Sequence, residues 1–237
     1  MKKIVFGVLG LVVILLVVGV LGYLGIIPGV ASLFGWDNPK DLGVTVTAED
    51  YNSAAQKLGR QRLPFPDGYE TDLGIALEGS HPVNTALTQE ELTATFQTRD
   101  FASNPFSDNG QIRINEDNSV EISGTINVND LLTMIDTMFT LDESAKNMLN
   151  KADFIKGDIP FYVHGSGEVT NNVWDIDIQQ FKLGFVSIPT DQIPESSLES
   201  AARNLVSNIS GLDINSMTIE NGQVNFDGMY PDTTYYE

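Results

Sequence analysis

The sequence predicts an α+β protein in which an N-terminal transmembrane helix is followed by a curved antiparallel sheet of hairpins wrapped around amphipathic helices. Three observations lead to this prediction. Residues 1–36 are almost entirely apolar, the predicted strands follow one another as hairpins, and stretches of helical periodicity separate the hairpins. Strands that are joined as hairpins pair antiparallel, so a parallel sheet is not expected.

Residues 1–36 are predicted to form a transmembrane anchor and an interfacial segment. Residues 4–27 are glycine or apolar, apart from Tyr23, and at ~1.5 Å per residue they cross a ~30 Å hydrocarbon core. The alternative is a cleaved signal peptide, whose apolar core is usually shorter, at roughly 7–15 residues. Pro28 cannot continue the helix, and Trp36 is expected at the depth of the lipid headgroups.

The charge distribution predicts the orientation of this anchor. Lys2 and Lys3 precede the apolar stretch, whereas all 32 Asp and Glu residues follow it. Positively charged flanks stay in the cytoplasm. The expected localisation is therefore a cell membrane, in a single pass, with a cytoplasmic N-terminus and an extracytoplasmic C-terminal domain.

The rest of the chain is predicted to be a polar linker, one extracytoplasmic α+β domain and a polar tail, at residues 37–44, 45–230 and 231–237. Two helices are expected to begin with the same capping box, from Thr47 to Asp50 and from Thr88 to Glu91. In this motif the threonine caps the third amide and the acid reaches back to the first residue. The likeness of the two segments leaves an internal repeat open.

Three hairpins are predicted from the alternation of apolar and polar residues. They span residues 111–126, 161–185 and 217–226. Asn221 and Gly222 form the strongest of the turn signals. In the second hairpin the alternation shifts at Gln179 and Gln180, which predicts a β-bulge. Amphipathic helices are expected between the hairpins, over residues 127–149 and 194–209.

The composition excludes several functional classes. The chain has 237 residues, no cysteine, two histidines and a formal net charge of −19 at pH 7. Without cysteine, a disulfide scaffold, a thiol catalyst and a thiolate zinc site are excluded. Because nucleic-acid phosphates require a basic surface, no nucleic acid is expected as a partner.

The search for catalytic motifs finds no nucleophile elbow, phosphate-binding loop, dinucleotide fingerprint or zincin motif. His164 is expected on the polar face of a strand, and His81 in a loop without an evident partner. No metal or cofactor is predicted, although the acidic turn around residues 116–118 leaves a calcium site open. The sequence therefore predicts a protein that is not an enzyme, with an enzyme hidden among the many carboxylates as an alternative.

The predicted ligand site is formed by apolar side chains. Met134, Met138 and Met148 lie close together in the sequence, and thioether side chains adapt to irregular apolar partners. These residues either pack in the core or line an apolar groove between the helices and the sheet. The predicted lining of this groove is Met134, Met138, Phe139, Trp174, Phe181, Leu205 and Ile209.

Three features resemble those of the bacterial membrane-anchored relatives of the tubular lipid-binding (TULIP-like) proteins. They are the helix starts at residues 47–51 and 88–92, residues 183–189 (LGFVSIP), and the closing hairpin at residues 217–228. Together with the other hairpins they cover about residues 45–230. The resemblance implies a long helix wrapped by a curved antiparallel sheet, and binding of a lipid or another apolar ligand.

The predicted function is a membrane-anchored, extracytoplasmic, non-enzymatic module that binds a lipid or another hydrophobic ligand in an apolar groove. The alternative is a cell-surface protein-interaction or envelope-assembly protein without a ligand cavity. Its partner would be an envelope protein or a cationic wall component, attracted by the negative charge of the domain.

Overall fold

The structure of this chain is a computed structural model that describes residues 38–67, 75–98, 105–127, 129–131, 158–184, 186–190, 203, 206 and 209–236. Strands account for 53% of the described residues and helices for 18%. The protein is therefore mainly β, and the predicted α+β class is wrong. No helix in the described ranges is long and apolar enough to cross a membrane. The predicted span over residues 4–27 lies outside these ranges.

Eleven strands are present in the described part of the chain and are numbered here in chain order. They are β1 (Gln61–Pro64), β2 (Ile75–Glu78), β3 (His81–Thr88), β4 (Gln111–Ile114), β5 (Val120–Asn127), β6 (Asp158–Thr170), β7 (Val173–Leu183), β8 (Val186–Ile188), β9 (Asp213–Glu220), β10 (Gln223–Tyr230) and β11 (Thr233–Tyr236).

Two short helices pack against each other, α1 (Ala48–Lys57) and α2 (Gln89–Gln97). Both predicted capping boxes are confirmed. The Thr47 hydroxyl accepts a hydrogen bond from the Asp50 amide, and the Asp50 carboxylate accepts one from the Thr47 amide. Thr88 and Glu91 repeat the arrangement at the start of α2. Two otherwise unpaired amides are thus satisfied at each helix start.

The larger sheet has the strand order β3-β10-β9-β6-β5-β4, with β7 on the other edge of β6 and β8 beside β7. The three predicted hairpins are confirmed as β4–β5, β6–β7 and β9–β10. Asn171 and Asn172 have φ angles of 50° and 62°, and Asn221 and Gly222 have 54° and 71°. Positive φ angles at both central residues are characteristic of the type I′ turn, which commonly joins two hairpin strands.

The predicted β-bulge lies in β7. His164 pairs with Gln180 and Gly165 pairs with Ile178, so Gln179 has no partner on β6. The extra residue shifts the alternation of side chains by one position. Ile178 and Phe181 therefore lie on the same face of the sheet.

A second sheet contains three strands in the order β1-β11-β2. Its central strand is β11, which runs parallel to β1 and antiparallel to β2, and Thr234 is fully buried. The structure thus differs from the polar tail predicted over residues 231–237. Backbone pairing on both edges orders this segment, and that pairing is not visible in its composition.

The predicted polar linker over residues 37–44 also differs from the structure. Leu42 and Val44 are buried and pack with Tyr162 of β6 on the larger sheet. The Leu42 amide donates a hydrogen bond to the side chain of Gln111, at 2.7 Å. We call residues 38–46 the strap, because they lie across β4, β5 and β6.

The predicted fold class also had the sheet wrapped around amphipathic helices, and this is wrong for the same reason: the described residues are mostly strand. The segments on which it depended lie largely outside the described residues, and α1 and α2 are short. His81, which was expected in a loop, begins β3, and the next residue is Pro82, which cannot donate a ladder hydrogen bond. In the structure β3 pairs with β10 at the end of the larger sheet, where proline is tolerated.

An aromatic cluster joins α2 to the larger sheet. Phe96, Phe106 and Phe161 are buried, and the centroids of their rings lie 5.1–6.5 Å apart. A Cβ atom on Gly110 would lie 2.4 Å from the Phe96 ring. Glycine at this position therefore allows the ring to approach the chain just before β4.

Candidate functional site

The candidate site lies where two strands share one edge of β6. β5 pairs with residues 158–165 of β6, and β9 pairs with Val169 and Thr170. β7 occupies the opposite edge, over residues 161–170. β5 and β9 therefore diverge between Gly165 and Val169, and the fork between them opens a groove on one face of the sheet.

Cross-strand pairing explains why this groove is apolar. Directly paired residues lie on the same face of a sheet, and the pairs Ile122–Val163 and Val169–Trp174 place four apolar side chains on the groove face. The full apolar lining is Val120, Ile122, Val163, Val169, Trp174, Ile176, Ile178, Met217, Ile219 and Val224. The cavity volume is about 50 Å³. One water needs ~10–15 Å³, and pockets for drug-sized ligands measure ~300–1,000 Å³.

Two glycines of β6 form the floor of the groove. A Cβ atom on Gly165 would lie 2.4 Å from the backbone oxygen of Asp177, and one on Gly167 would lie 2.7 Å from that of Asp175. The close approach of β6 and β7 thus requires glycine at both positions. The same two residues leave the floor without side chains.

Trp174 supplies a polar atom to this apolar surrounding. Its side chain lines the groove, and the residue is 4% exposed. The indole N–H is buried and has no hydrogen-bond acceptor among the described residues. A buried donor without an acceptor destabilises a protein by ~1–3 kcal/mol. The surface of the groove is almost entirely apolar, and the buried N–H is not exposed on it.

The residues that were predicted to line the groove fall into three groups in the structure. Trp174 lines it. Phe181 and Ile209 are buried, but they are not among the described lining residues. The remaining predicted residues lie outside the described ranges: Met134, Met138, Phe139 and Leu205.

Sequence reasoning missed the contribution of β9 and β10. Met217, Ile219 and Val224 line the groove, although the sequence assigned them only to a closing hairpin. Their alternation was a visible signal of one apolar face. The pairing of Met217 with Val169, which brings that face to the groove, joins distant segments and leaves no local signal.

The opposite face of the sheet carries the Glu121 cluster, which we define as Lys40, Arg113, Glu121 and Tyr162. The Glu121 residue is 4% exposed. Lys40 Nζ and the Tyr162 hydroxyl each donate to Glu121 Oε1, at 2.5 Å, and Arg113 pairs with Oε2. Lys40 belongs to the strap, so the cluster attaches the strap to β4, β5 and β6.

The protonation states in this cluster favour a structural role. Burial raises the pKa of the Glu121 carboxyl, but hydrogen bonds from Lys40, Tyr162 and Arg113 and the charge of Lys40 lower it more, to about 2. Burial lowers the pKa of Lys40, and its bonds to Glu121 and Tyr162 raise it overall. Both shifts move the pKa values further from pH 7. Glu121 and Lys40 therefore stay ionised at pH 7 and are not suited to proton transfer.

Both histidines make contacts that connect elements of the fold. His81 Nδ1 lies 2.7 Å from Asp232 Oδ1, and His81 Nε2 lies 3.1 Å from the Leu58 carbonyl oxygen. His164 Nε2 lies 3.0 Å from Ser119 Oγ. Within the described part of the chain, no group of three or more His, Asp or Glu residues is arranged to hold a metal ion.

Comparisons with protein-family models, with curated proteins and with solved structures find no match for this chain. The resemblance to TULIP-like proteins therefore stays a prediction.

Proposed function

We propose that this protein is a membrane-anchored, extracytoplasmic module that binds a lipid or another hydrophobic ligand and is not an enzyme. The groove at the fork of β5 and β9 carries the proposal. Its walls come from β5, β6, β7, β9 and β10, and ten apolar side chains line it. Contact with such a surface stabilises an apolar ligand by ~25 cal/mol for each Å² removed from water.

The dimensions of the groove restrict how a ligand binds. A cavity of about 50 Å³ cannot enclose a whole acyl chain. The half-buried side chains of Ile176, Ile178 and Ile219 remain accessible along the open side. We infer that a short part of the ligand enters the cavity and that the rest of the chain lies along these side chains.

The strap supports a function close to the membrane. Lys40 is attached to the larger sheet through Glu121, and it follows Trp36 by four positions in the sequence. Four steps of extended chain span at most ~14 Å. With the predicted anchor in a cell membrane and its N-terminus in the cytoplasm, the domain is held near the outer surface of that membrane.

Native mass spectrometry of the full-length protein in detergent tests this function. We expect a bound species of defined mass, which is lost after extraction with organic solvent and restored when total membrane lipid is added back. A single unliganded mass before extraction, unchanged after lipid is added, would contradict the proposal.

The second candidate is an envelope-assembly or surface-interaction protein without a ligand. The small cavity favours it, as do the exposed residues Glu168, Asp175 and Asp177. No ion pair joins these three to another described residue, so their charge is available to a cationic partner. Lipid-free mass spectra, together with salt-sensitive binding to a cationic envelope component, would favour this candidate.

A further inference from the structure

The second sheet, β1-β11-β2, has an inner and an outer face. Thr234 of β11 is fully buried, and its partner Arg62 on β1 donates a hydrogen bond to the Tyr51 hydroxyl of α1, at 2.8 Å. The face that carries Thr234 and Arg62 is therefore directed inwards, towards α1. Because side chains alternate between the two faces of a sheet, Leu63 and Tyr235 lie on the outer face.

One end of this outer face is apolar. Leu63, Tyr235 and Ala76 pair across the three strands and form one row. Phe65 directly follows β1, and its ring stacks with that of Tyr235, with 6.4 Å between the centroids and 18° between the ring planes. Leu63 is 41% exposed, and the other three residues are half-buried. We call these four residues the aromatic face. Exposed apolar patches mark sites of contact with proteins or membranes.

The aromatic face is uncharged, although the chain has a formal net charge of −19. The next row of the outer face is polar and consists of Gln61, Thr233 and Glu78. The two rows lie ~7 Å apart, because each residue of a strand rises by ~3.3 Å. The aromatic end can therefore approach a lipid surface while the carboxylate of Glu78 stays in water.

We propose that the aromatic face inserts into the headgroup region of the membrane and forms a second membrane contact of the domain. The inference rests on the membrane anchor of the proposed function and does not depend on the groove. The ring of Tyr235 is apolar and its hydroxyl is polar, a combination that is enriched where lipid meets water. Lys40 follows Trp36 by four positions, which span at most ~14 Å, so the folded domain stays within reach of the bilayer.

Val173 is the matched control for Leu63. These two are the exposed large apolar residues in the described part of the chain, and Val173 is 53% exposed. Val173 and Asp175 lie on the same face of β7, and Asp175 pairs with Glu168 of β6. Because two carboxylates would lose their hydration at a lipid surface, Val173 is expected to stay in water.

Single labels can be placed at will, because the chain contains no cysteine. We would make Leu63→Cys, Gln61→Cys and Val173→Cys separately and attach the fluorophore NBD to each full-length protein. The proteins are inserted into liposomes of phosphatidylcholine, in which some lipids carry a nitroxide quencher on the headgroup. Apolar side chains of a membrane-surface segment lie ~5–10 Å into the headgroup boundary, where the nitroxide reaches them.

The label at position 63 should be quenched about twofold by the nitroxide lipid, and the label at position 173 should keep its intensity. Gln61 is exposed in the next row of the same face, so its label should be quenched to an intermediate degree. This second position guards against a local effect of Leu63→Cys. Adding Leu63→Glu to Gln61→Cys should remove the quenching, since a buried carboxylate is costly.

Several outcomes would overturn the inference. Equal quenching at positions 63 and 173 would show that the aromatic face is not the contact. A response of the label at position 63 to soluble envelope polysaccharide, but not to the bilayer, would assign this face to a sugar partner instead. If native mass spectrometry finds bound lipid and position 63 is not quenched, the proposed function stands and this inference alone fails. If the protein does not float with the liposomes, the anchor fails, and the inference fails with it.

Discussion

Lys40 and Glu121 are separated by 81 positions in the chain, yet the Lys40 ammonium group lies 2.5 Å from the Glu121 carboxylate. The same lysine lies 4.2 Å from the centroid of the Tyr162 ring, in a cation–π contact. These contacts attach the strap to the polar face of the larger sheet. A segment that looks like a linker in the sequence is therefore part of the folded domain.

Glu121→Gln should destabilise the domain by about 1–3 kcal/mol. The substitution removes the charge that pairs with Lys40 and Arg113. The loss stays below the ~3–5 kcal/mol of a fully buried pair, because the Lys40 and Arg113 side chains are 48% and 40% exposed and can be rehydrated. Urea unfolding of the full-length protein in detergent, followed by circular dichroism, measures this difference. Glu116→Gln, at an exposed residue in the turn of the same hairpin, is the matched control. Equal unfolding midpoints for the two variants would contradict a stabilising role of the cluster.

The stability difference between the original protein and Glu121→Gln should depend on pH. Folding lowers the pKa of Glu121 from 4.5 to about 2. A lowered pKa contributes stability that is fully present above pH 4.5 and is lost as the pH falls from there towards 2. Other carboxylates, such as Glu91, occur in both proteins and cancel in the difference. We expect unfolding midpoints that differ at pH 6 and converge at low pH. A constant difference across this window would show that the charge of Glu121 is not responsible.

Ile176→Asn should weaken lipid binding by about tenfold, because it removes an apolar side chain worth ~1.5–3 kcal/mol on burial and places an amide in the groove wall. Val173→Asn is the matched control, since Val173 is a β-branched residue of the same strand, on the opposite face and 53% exposed. Lipid retained after purification of the full-length variants is the measurement. Equal retention by both variants would place the ligand outside the groove.

Two glycine substitutions should differ in their effect on stability. Gly222 has a φ angle of 71° and open space around it, so Gly222→Ala is expected to destabilise the β9–β10 hairpin through backbone strain alone, by ~1–2 kcal/mol. A Cβ atom on Gly228 would lie 2.1 Å from the backbone oxygen of Asp213. Gly228→Ala should therefore be the more destabilising of the two, because β9 and β10 must separate. Thermal unfolding measured by circular dichroism compares them, and the reverse order would be inconsistent with this packing.

Local features were predictable wherever a few neighbouring residues determine the structure. Thr47 and Thr88 indicated the two capping boxes, and Asn221 with Gly222 indicated a tight turn. The phase shift at Gln179 indicated the bulge in β7. Each of these depends on side-chain chemistry or on φ preferences within a handful of residues.

Features that depend on distant partners were not predictable in this way. The start of β3 at His81 was expected to be a loop, and β11 was expected to be part of a polar tail. Both become strands through neighbours far along the chain, β10 for β3, and β1 and β2 for β11. The fork that forms the groove has the same origin, because β5 and β9 meet one edge of β6 from separate parts of the chain.

The sequence by itself determined the three hairpins, the turns between their strands and the two helix starts, since local backbone preferences and side-chain alternation suffice for each of them. It also determined the charge and the apolar N-terminal segment. The tertiary structure decided that the chain is mainly β, that the strap is attached through Glu121, and that Trp174 lies in the groove with Met217. These relationships arise from backbone pairing and burial between segments that no local pattern connects.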